Sequence, residues 1–218
     1  MKLYRRIFIT GIVMVVATSV SGYFFWYRPK FKSRPAREIP YNKTKEKNSA
    51  TFLRLKDKSS IIKAYAGEHG YNPTHCFLLD MKLPSGEKRF FVYNLEKDSI
   101  EIAGLVTHGS GPVNNGNGLS FSNTPNSNCT SLGKYKIGNP YTGRFGPAYK
   151  LYGLDKTNSK AFERFVVLHS HSCVPNEEVA PYPICESQGC PTVAPAFLVQ
   201  LKEYLKRSPQ PVLLWIYY

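Results

Sequence analysis

Apolar positions return with a helical period in the first part of the folded region. Between residues 51 and 66, apolar side chains such as Phe52, Leu55 and Ile62 recur every three or four positions. One turn of an α-helix takes 3.6 residues, so this spacing predicts an amphipathic helix. Gly67 follows the last apolar positions and is a residue type that commonly ends helices. We therefore expect a helix over residues 51–66.

After this helix the pattern changes to short apolar runs that are typical of β-strands. The first two runs are separated by Pro-Ser-Gly at residues 84–86, which predicts a hairpin. A second helical pattern covers 194–206, and a long polar loop rich in Gly, Asn and Ser covers 109–131. These features predict a mainly β domain with a few helices. The predicted strands are 76–82, 89–95, 99–108, 133–138, 148–154, 165–170 and 211–218.

The N-terminus carries an uncharged run over residues 7–27, directly after a short basic segment. At about 1.5 Å per residue, the run is long enough to span a hydrocarbon core of roughly 30 Å. Its aromatic end suits a lipid–water interface. The run predicts a retained membrane anchor, which we favour, or a cleaved signal peptide, because small residues near Ala17 and Ser19 would permit cleavage. Either alternative places the following domain outside the cytoplasmic membrane.

Residues 28–50 are polar, basic and without apolar periodicity, which predicts a flexible tether. The expected organisation is a membrane segment over 1–27, this tether, and one folded domain over 51–218. The formal net charge of +14 is concentrated at the N-terminus, since residues 1–50 hold 11 of the 29 Lys and Arg but only 2 of the 15 Asp and Glu. Basic charge beside a membrane segment does not indicate a nucleic-acid-binding surface, and no nucleic-acid partner is predicted.

Candidate chemistry lies in the last third of the chain, where a strand and a tight turn would each supply one reactive side chain. The strand 165–170 carries His169, and Cys190 lies in the segment Ser-Gln-Gly-Cys-Pro. An imidazole base and a thiol are the two groups that nucleophilic acyl transfer needs. Gly189 would let the turn tighten, so that the N–H groups of Gly189 and Cys190 face a developing oxyanion. A neighbouring imidazolium would lower the pKa of the thiol.

The five cysteines allow other interpretations. The histidines and cysteines between His169 and Cys190 could ligate zinc, but they contain no Cys-x2-Cys pair of the kind common in zinc fingers, and no metal is predicted. A single His or Cys can also be purely structural. In an exported domain, Cys173 and Cys185 are a reasonable disulfide pair that would close the loop between the two reactive residues. Because five is an odd number, at least one thiol is left over, and Cys190 would be that thiol.

Five short motifs follow one another in residues 121–193: Phe-Ser-Asn, Thr-Ser-Leu-Gly, Gly-Leu-Asp, Val-Val-Leu-His and Ser-x-Gly-Cys-Pro. In this order they resemble a divergent branch of the murein L,D-transpeptidase catalytic-domain family, over roughly residues 75–195. The resemblance implies an L,D-transpeptidase-like β-sandwich or barrel with a few helices, here preceded by one N-terminal membrane helix. It implies neither a metal nor an organic cofactor.

The resemblance also implies a role for each residue of the last two motifs. Cys190 would attack the peptide stem, His169 would act as the base, and the backbone carbonyl of Ser170 would orient the imidazole. Ser187 and Gly189 match the positions that precede the nucleophile. The main branch of the family has Ser-His-Gly-Cys followed by Arg or Val and then Asn. This chain has Ser-Gln-Gly-Cys-Pro-Thr, so the substrate contacts of those positions do not carry over.

Three further side chains are candidate substrate contacts. His171 would point the same way as His169 if the strand continued, because side chains alternate along a strand, and it is an alternative base. Asn123 and His108 could border a substrate cleft formed by the long polar loop. A structural role is the simpler interpretation of these last two residues.

The resemblance implies a peptidoglycan L,D-transpeptidase or L,D-carboxypeptidase that acts on stem peptides through a Cys190 thioester. It would work in the bacterial cell envelope, outside the cytoplasmic membrane. Two alternatives are a catalytically inactive wall-binding domain of the same fold and a cysteine amidase or peptidase of the envelope. In papain-like enzymes the cysteine precedes the histidine in the chain. Here His169 comes first, which argues against that alternative.

Overall fold

The computed structural model describes residues 41–112 and 119–218, together with Tyr4, Met14, residues 18–21 and Tyr23. The predicted membrane run 7–27 therefore lies almost entirely outside the described residues. Within the described part of the chain, no helix is long and apolar enough to cross a membrane. Residues Asn48–Tyr218 form one compact unit, which contains the eight strands described below.

The first helix, α1 (Tyr41–His69), begins ten residues earlier than predicted and takes in the end of the predicted tether. The prediction rested on apolar periodicity, whereas residues 41–50 contain Lys and Glu, which favour a helix without forming an apolar face. Beyond that point the expected face is present. Leu55, Ile62 and Ala66 are each at most 1% exposed, so this face of α1 is part of the core.

Eight strands and a second helix follow in nearly the predicted order. Two elements escaped the sequence analysis, because a two-residue strand and a single 3-10 turn carry no periodicity. The second helix is α2 (Pro195–Lys206) and the 3-10 turn is Lys156–Asn158. The strands are β1 (His75–Asp80), β2 (Phe90–Asn94), β3 (Ser99–Gly104), β4 (Gly133–Gly143), β5 (Gly146–Gly153), β6 (Val167–Ser170), β7 (Thr192–Val193) and β8 (Leu213–Tyr217).

All eight strands belong to one sheet in the order β3-β2-β1-β8-β4-β5-β6-β7. The two ends of this order are joined, because Val106, two residues beyond β3, forms an antiparallel bridge with Val193 of β7. The Thr107 N–H also donates to the carbonyl of Thr192 at 2.9 Å. The predicted sandwich or barrel is thus a single sheet closed by a short seam. We call residues 106–110 together with β7 the closing seam.

The central strands are buried on both faces, which explains why their sequences are apolar runs rather than alternating patterns. On β1, Phe77 belongs to the larger core and Leu78 to the smaller one on the opposite face. Helix α2 contributes Leu201 to the larger core, and α1 contributes Ile62 to the smaller one. The helices therefore cover opposite faces of the sheet.

The predicted strand 99–108 ends at Gly104 in the structure. A Cβ at Gly104 would lie 2.6 Å from the Phe197 ring of α2, so this glycine allows the helix to pack directly on the strand. The chain then leaves β2 and joins β7 at Val106. This change of partner carries residues 106–110 to the sheet end where β6 places its histidine.

Candidate active site

His169 lies on β6, with Ala148 of β5 and Thr192 of β7 as its register partners. Its Nδ1 is 3.2 Å from the backbone oxygen of Ser170. A carbonyl can only accept a hydrogen bond, so we assign the ring proton to Nδ1 from this network. Nε2 then holds the lone pair and accepts a hydrogen bond from the Thr192 hydroxyl, whose Oγ1 is 3.0 Å away. Nε2 is therefore the basic atom of the site.

Cys190 ends a tight turn that the Ser187 side chain closes. The Ser187 hydroxyl donates to the backbone oxygen of Cys190 at 2.6 Å and accepts the N–H of Gly189 at 3.1 Å. Gly189 has a φ of 106°, and a Cβ there would lie 2.6 Å from the backbone oxygen of Cys129. The position therefore needs glycine both for its backbone conformation and for its close approach to Cys129.

The N–H of Gly189 is used inside this turn rather than in the cavity. The spacing of the motif predicted that the N–H groups of both Gly189 and Cys190 would face an oxyanion. Because the Gly189 N–H already donates to the Ser187 hydroxyl, the Cys190 N–H is the member of that pair that stays a candidate for this role. The Ser187 hydroxyl takes up the Gly189 N–H, and the spacing of residues along the sequence did not indicate this hydrogen bond.

The start of β6 holds the thiol of Cys190. The backbone N–H of Val167 donates to Sγ at 3.5 Å, and the thiol lies 3.7 Å from the backbone oxygen of Phe165. Phe165 has a φ of 56°, which a non-glycine residue rarely adopts, and this conformation directs its carbonyl toward the thiol. One strand thus positions both candidate catalytic side chains, because its backbone contacts the thiol of Cys190 and His169 is one of its residues.

Burial sets the protonation states of the two reactive groups. Burial lowers the pKa of His169, and the nearby His171 adds to the effect, while the Ser170 carbonyl opposes it. Burial raises the pKa of the Cys190 thiol, and the Val167 N–H and the Arg164 charge offset this only in part. Both groups therefore rest in their neutral forms. The expected lowering of the thiol pKa is wrong for this structure, because burial outweighs the two opposing effects.

Arg164 supports the segment against which the nucleophile turn packs, and no sequence motif predicted this role. Its guanidinium donates to the backbone oxygens of Ser122 at 2.8 Å and Cys129 at 2.7 Å, and to the Ser131 hydroxyl. These bonds hold together the polar loop and the segment on which Gly189 rests. An arginine outside any motif gives no sequence signal of such a role.

A cavity of about 390 Å³ contains both reactive side chains. Ser187, His171 and Thr192 also line it. A smaller recess of about 200 Å³ shares His169 and Cys190 and is walled by aromatic side chains. Cys190 is thus reached from two sides, one polar and one aromatic. The aromatic side chains are Tyr141, Phe145 and Phe165.

His171 lies on the rim of the same cavity, just beyond the end of β6. Its Nδ1 accepts the backbone N–H of Cys173 at 3.1 Å. In His169, by contrast, Nδ1 donates to a backbone carbonyl. Phe145 lies between the two histidines, stacked on His169 at 5.4 Å and edge-on to His171 at 5.4 Å between ring centroids. His171 therefore lies near His169 on the wall of the cavity.

Asn123 is not brought to the thiol. Its side-chain amide donates to the backbone oxygen of Lys156 at 3.1 Å and to the Ser159 hydroxyl at 3.0 Å, and it accepts the N–H of Lys160 at 3.1 Å. These bonds tie the polar loop to the 3-10 turn. The residue lines neither of the two cavities at Cys190, which favours the structural interpretation.

The predicted disulfide between Cys173 and Cys185 is present. It closes the loop that leads from His171 back to the nucleophile turn, and Cys173 itself lines the cavity. Cys76 and Cys129 are buried free thiols, and Cys190 is partly exposed. Among the described residues, no group of three or more His, Cys, Asp or Glu is arranged to hold a metal ion.

Comparison with known proteins places most of the chain in one family. The L,D-transpeptidase catalytic domain matches residues 46–217. This range contains the sheet, both cores and the whole of the site. No curated protein matches the chain in sequence.

Several solved structures resemble the fold at low identity. An L,D-transpeptidase fragment from Xylanimonas cellulosilytica is 18% identical with a TM-score of 0.37, over 71% of this chain and 68% of that one. The helical cell shape determining protein Pgp2 from Campylobacter jejuni is 10% identical with a TM-score of 0.44, over 66% and 47%. The Ldtfm–avibactam carbamoyl enzyme is 12% identical with a TM-score of 0.38, over 66% and 49%. The chain spans about half the length of the last two, and likenesses of this size define no function.

Proposed function

Since the chain belongs to the L,D-transpeptidase catalytic-domain family, we propose that it is a peptidoglycan L,D-transpeptidase in which Cys190 carries the acyl group. The observation that carries this proposal is that Cys190 and His169 line the same cavity. The Ser170 carbonyl binds the Nδ1 proton of His169, so that Nε2 keeps its lone pair and can act as a base. The donor would be a stem peptide that ends in a diamino acid followed by D-Ala. The domain would act outside the cytoplasmic membrane, held there by residues 7–27.

In the first step, the thiol transfers its proton to Nε2 of His169 as sulfur attacks the carbonyl carbon before D-Ala. The Thr192 hydroxyl allows this transfer, because it has two acceptors within reach. It donates to Nε2 in the resting state, and it can turn to the backbone oxygen of Cys190, 3.4 Å away, when Nε2 becomes protonated. Oγ1 would then accept from the imidazolium, so that neither hydrogen-bonding group is left unpaired.

In the second step, the tetrahedral oxyanion collapses to a thioester as the C–N bond breaks. The Cys190 N–H is the backbone donor that we assign to the oxyanion. The proton on His169 passes to the leaving amine of D-Ala, which restores the neutral imidazole. An amine acceptor then attacks the thioester to give a crosslink, or water attacks it to give a trimmed stem.

The thioester provides the direct test of this proposal. The purified full chain is incubated with a disaccharide-tetrapeptide, and intact-protein and product mass spectra are recorded. We expect an adduct of the donor minus D-Ala on the wild type, and none on Cys190→Ala. Cys76→Ala is the matched control, because it removes a buried thiol that does not line the cavity. An adduct on the Cys190→Ala variant would refute the assignment of the nucleophile.

A further inference from the structure

The cavity at Cys190 has one negatively charged side chain, and its position is fixed by a chain of contacts from the core. Glu186 is the one carboxylate among the described residues that line this cavity. Its Oε1 is 3.5 Å from Nε2 of His108, and about half of its side chain, 53%, is exposed. No lysine or arginine pairs with it among the described residues, so its remaining lone pairs face the cavity and solvent.

A buried arginine determines how His108 meets this carboxylate. The guanidinium of Arg89 is 1% exposed and donates to the backbone oxygen of Val106 and, at 3.0 Å, to Nδ1 of His108. A guanidinium has no acceptor, so Nδ1 must be unprotonated and Nε2 must carry the ring proton. Burial and the Arg89 charge also lower the pKa of His108. A neutral imidazole therefore donates to Glu186 and leaves its negative charge uncompensated.

Backbone hydrogen bonds join the segment that carries Glu186 to the closing seam. The N–H of Ser187 donates to the backbone oxygen of His108 at 2.8 Å, and the N–H of Ser110 donates to the backbone oxygen of Ser187 at 2.7 Å. These bonds attach Ser187, and with it the neighbouring Glu186, to the closing seam. The carboxylate of Glu186 is therefore held beside the Cys190 turn, and its partner among the described residues is the neutral imidazole of His108.

Arg144 lines the same cavity and supplies the opposite charge. It lies on the turn between β4 and β5, with its guanidinium carbon 5.5 Å from the centroid of the Phe145 ring. Within the described part of the chain it has no carboxylate partner, and it is not paired with Glu186. Two opposite charges on the wall of one cavity, neither of them neutralised by an oppositely charged side chain among the described residues, are complementary to a ligand that carries an ammonium and a carboxylate.

We propose that Glu186 binds an ammonium group and Arg144 a carboxylate group of the same donor residue, so that the site selects a zwitterionic side-chain end. The inference rests on the proposed function, since the donor is the peptide that acylates Cys190. His108 and Arg89 act as positioning residues for Glu186.

Three synthetic tetrapeptide donors separate the two charges. They differ only in the third residue, which is diaminopimelate, lysine or Nε-acetyllysine, and so present both charges, the ammonium alone or neither. The rate of thioester formation on Cys190 is measured as a function of donor concentration for the wild type, Glu186→Gln and Arg144→Gln. Glu177→Gln is the matched control, because Glu177 pairs with Lys88 on the surface and does not line the cavity.

For the wild type we expect the acylation efficiency to fall in the order diaminopimelate, lysine, acetyllysine. Glu186→Gln should lower the efficiency with the first two donors by about fivefold, the effect of one partly screened ion pair, and leave the acetyllysine donor unchanged. Arg144→Gln should lower the acylation efficiency only with the diaminopimelate donor. The Glu177→Gln control should match the wild type with all three donors.

The outcomes distinguish this inference from the function on which it rests. Equal losses with all three donors, or no loss with any, would overturn the charge assignment while leaving acylation of Cys190 intact. If the wild type forms no thioester with any donor although Cys190 is reduced and the protein is folded, then the proposed function fails, and the inference fails with it.

Discussion

At the scale of single residues, the nucleophile turn depends most directly on Gly189. Its backbone is left-handed, and the backbone oxygen of Cys129 occupies the place where a Cβ would be. We expect Gly189→Ala to destabilise the folded protein by about 1–3 kcal/mol, because the turn must open or Cys129 must move. Thioester formation should fall by at least the factor of about 100 that misplacement of a reacting group causes.

Chemical unfolding and acylation rates of Gly189→Ala check this prediction together. Gly70→Ala is the matched control, since Gly70 also has a positive φ but a Cβ there would have nothing within 4 Å. That variant should lose some stability and keep its acylation rate. Wild-type acylation by Gly189→Ala would mean that the turn is not held as tightly as its contacts indicate.

The protonation states of His169 and Cys190 predict the pH dependence of acylation. His169 acts as a base only when neutral, and burial lowers its pKa from the ordinary value of 6.5. The acylation rate should therefore stay constant as the pH falls through 6.5 and should drop only below the lowered pKa. The thiol pKa is raised, so alkylation of Cys190 by iodoacetamide at neutral pH should be slower than that of an ordinary exposed thiol.

His171→Gln tests the origin of this profile. The charge on His171 contributes to the low pKa of His169, so its removal should move the acidic limb of the rate to higher pH. The rate in the plateau should change much less, because His171 does not contact the basic Nε2. An acidic limb at or above 6.5 in the wild type would contradict the protonation states inferred from burial.

Sequence motifs predicted the candidate catalytic pair, but they did not predict the side chains that contact and support this pair. A sequence motif marks each of Cys190 and His169, and the structure places both in one cavity. Thr192, which contacts Nε2, and Arg164, which supports the turn, belong to no pattern and become visible only when distant segments meet. For Asn123 the sequence suggested a role that the structure does not favour. Its place in a polar loop predicted a substrate contact, but its three hydrogen bonds all go to other parts of the protein.

At the scale of elements, the loop between β6 and the nucleophile turn is held by the Cys173–Cys185 disulfide. The two cysteines are 12 residues apart, and a closed loop of this size stabilises the folded state by about 3 kcal/mol through the entropy of the unfolded chain. We expect the double variant Cys173→Ser, Cys185→Ser to lose stability of this order and to acylate more slowly, because Cys173 lines the cavity.

Thermal unfolding with and without a reductant measures the contribution of the disulfide. The reductant should lower the melting temperature of the wild type and leave that of the double variant unchanged. Equal melting temperatures for the oxidised wild type and the double variant would mean that the loop is ordered without its crosslink. Its contacts with Gly86, whose backbone oxygen accepts the N–H groups of Val179 and Ala180, would then be sufficient.

The order of elements was predictable from apolar periodicity, whereas their ends were not. Central strands such as β1 and β8 gave clear signals because both of their faces are buried. The signal failed where an element is set by contacts remote in sequence. β7 has two residues that pair with β6 and with Val106, and β3 ends early because the chain changes partners beyond Gly104.

At the scale of the whole molecule, the uneven charge of the chain agrees with work at a membrane surface. The first 50 residues carry most of the excess positive charge, next to the apolar run 7–27. We expect the full chain to sediment with membranes and to be degraded when protease is added to cells whose outer layers have been opened. A variant without residues 1–27 should stay in the cytoplasm and resist that protease.

The mass of the exported protein distinguishes an anchor from a signal peptide. An intact N-terminus in the membrane fraction supports the anchor, and a soluble product shortened near Ala17 or Ser19 supports cleavage. Protection of the full chain from external protease would contradict export of either kind. A cytosolic protein fused to residues 1–50 is the matched control for the targeting function of this segment.

The closing seam has a consequence for how the candidate nucleophile is held. Thr107 lies beyond one end of the strand order and Thr192 at the other, and the Thr107 hydroxyl accepts the N–H of Thr192 and donates to the backbone oxygen of Cys190. The position of the Cys190 backbone therefore depends on a contact between segments that are far apart in the sequence. A substitution in residues 106–110 should consequently be felt at Cys190, although about 80 residues separate the two along the chain.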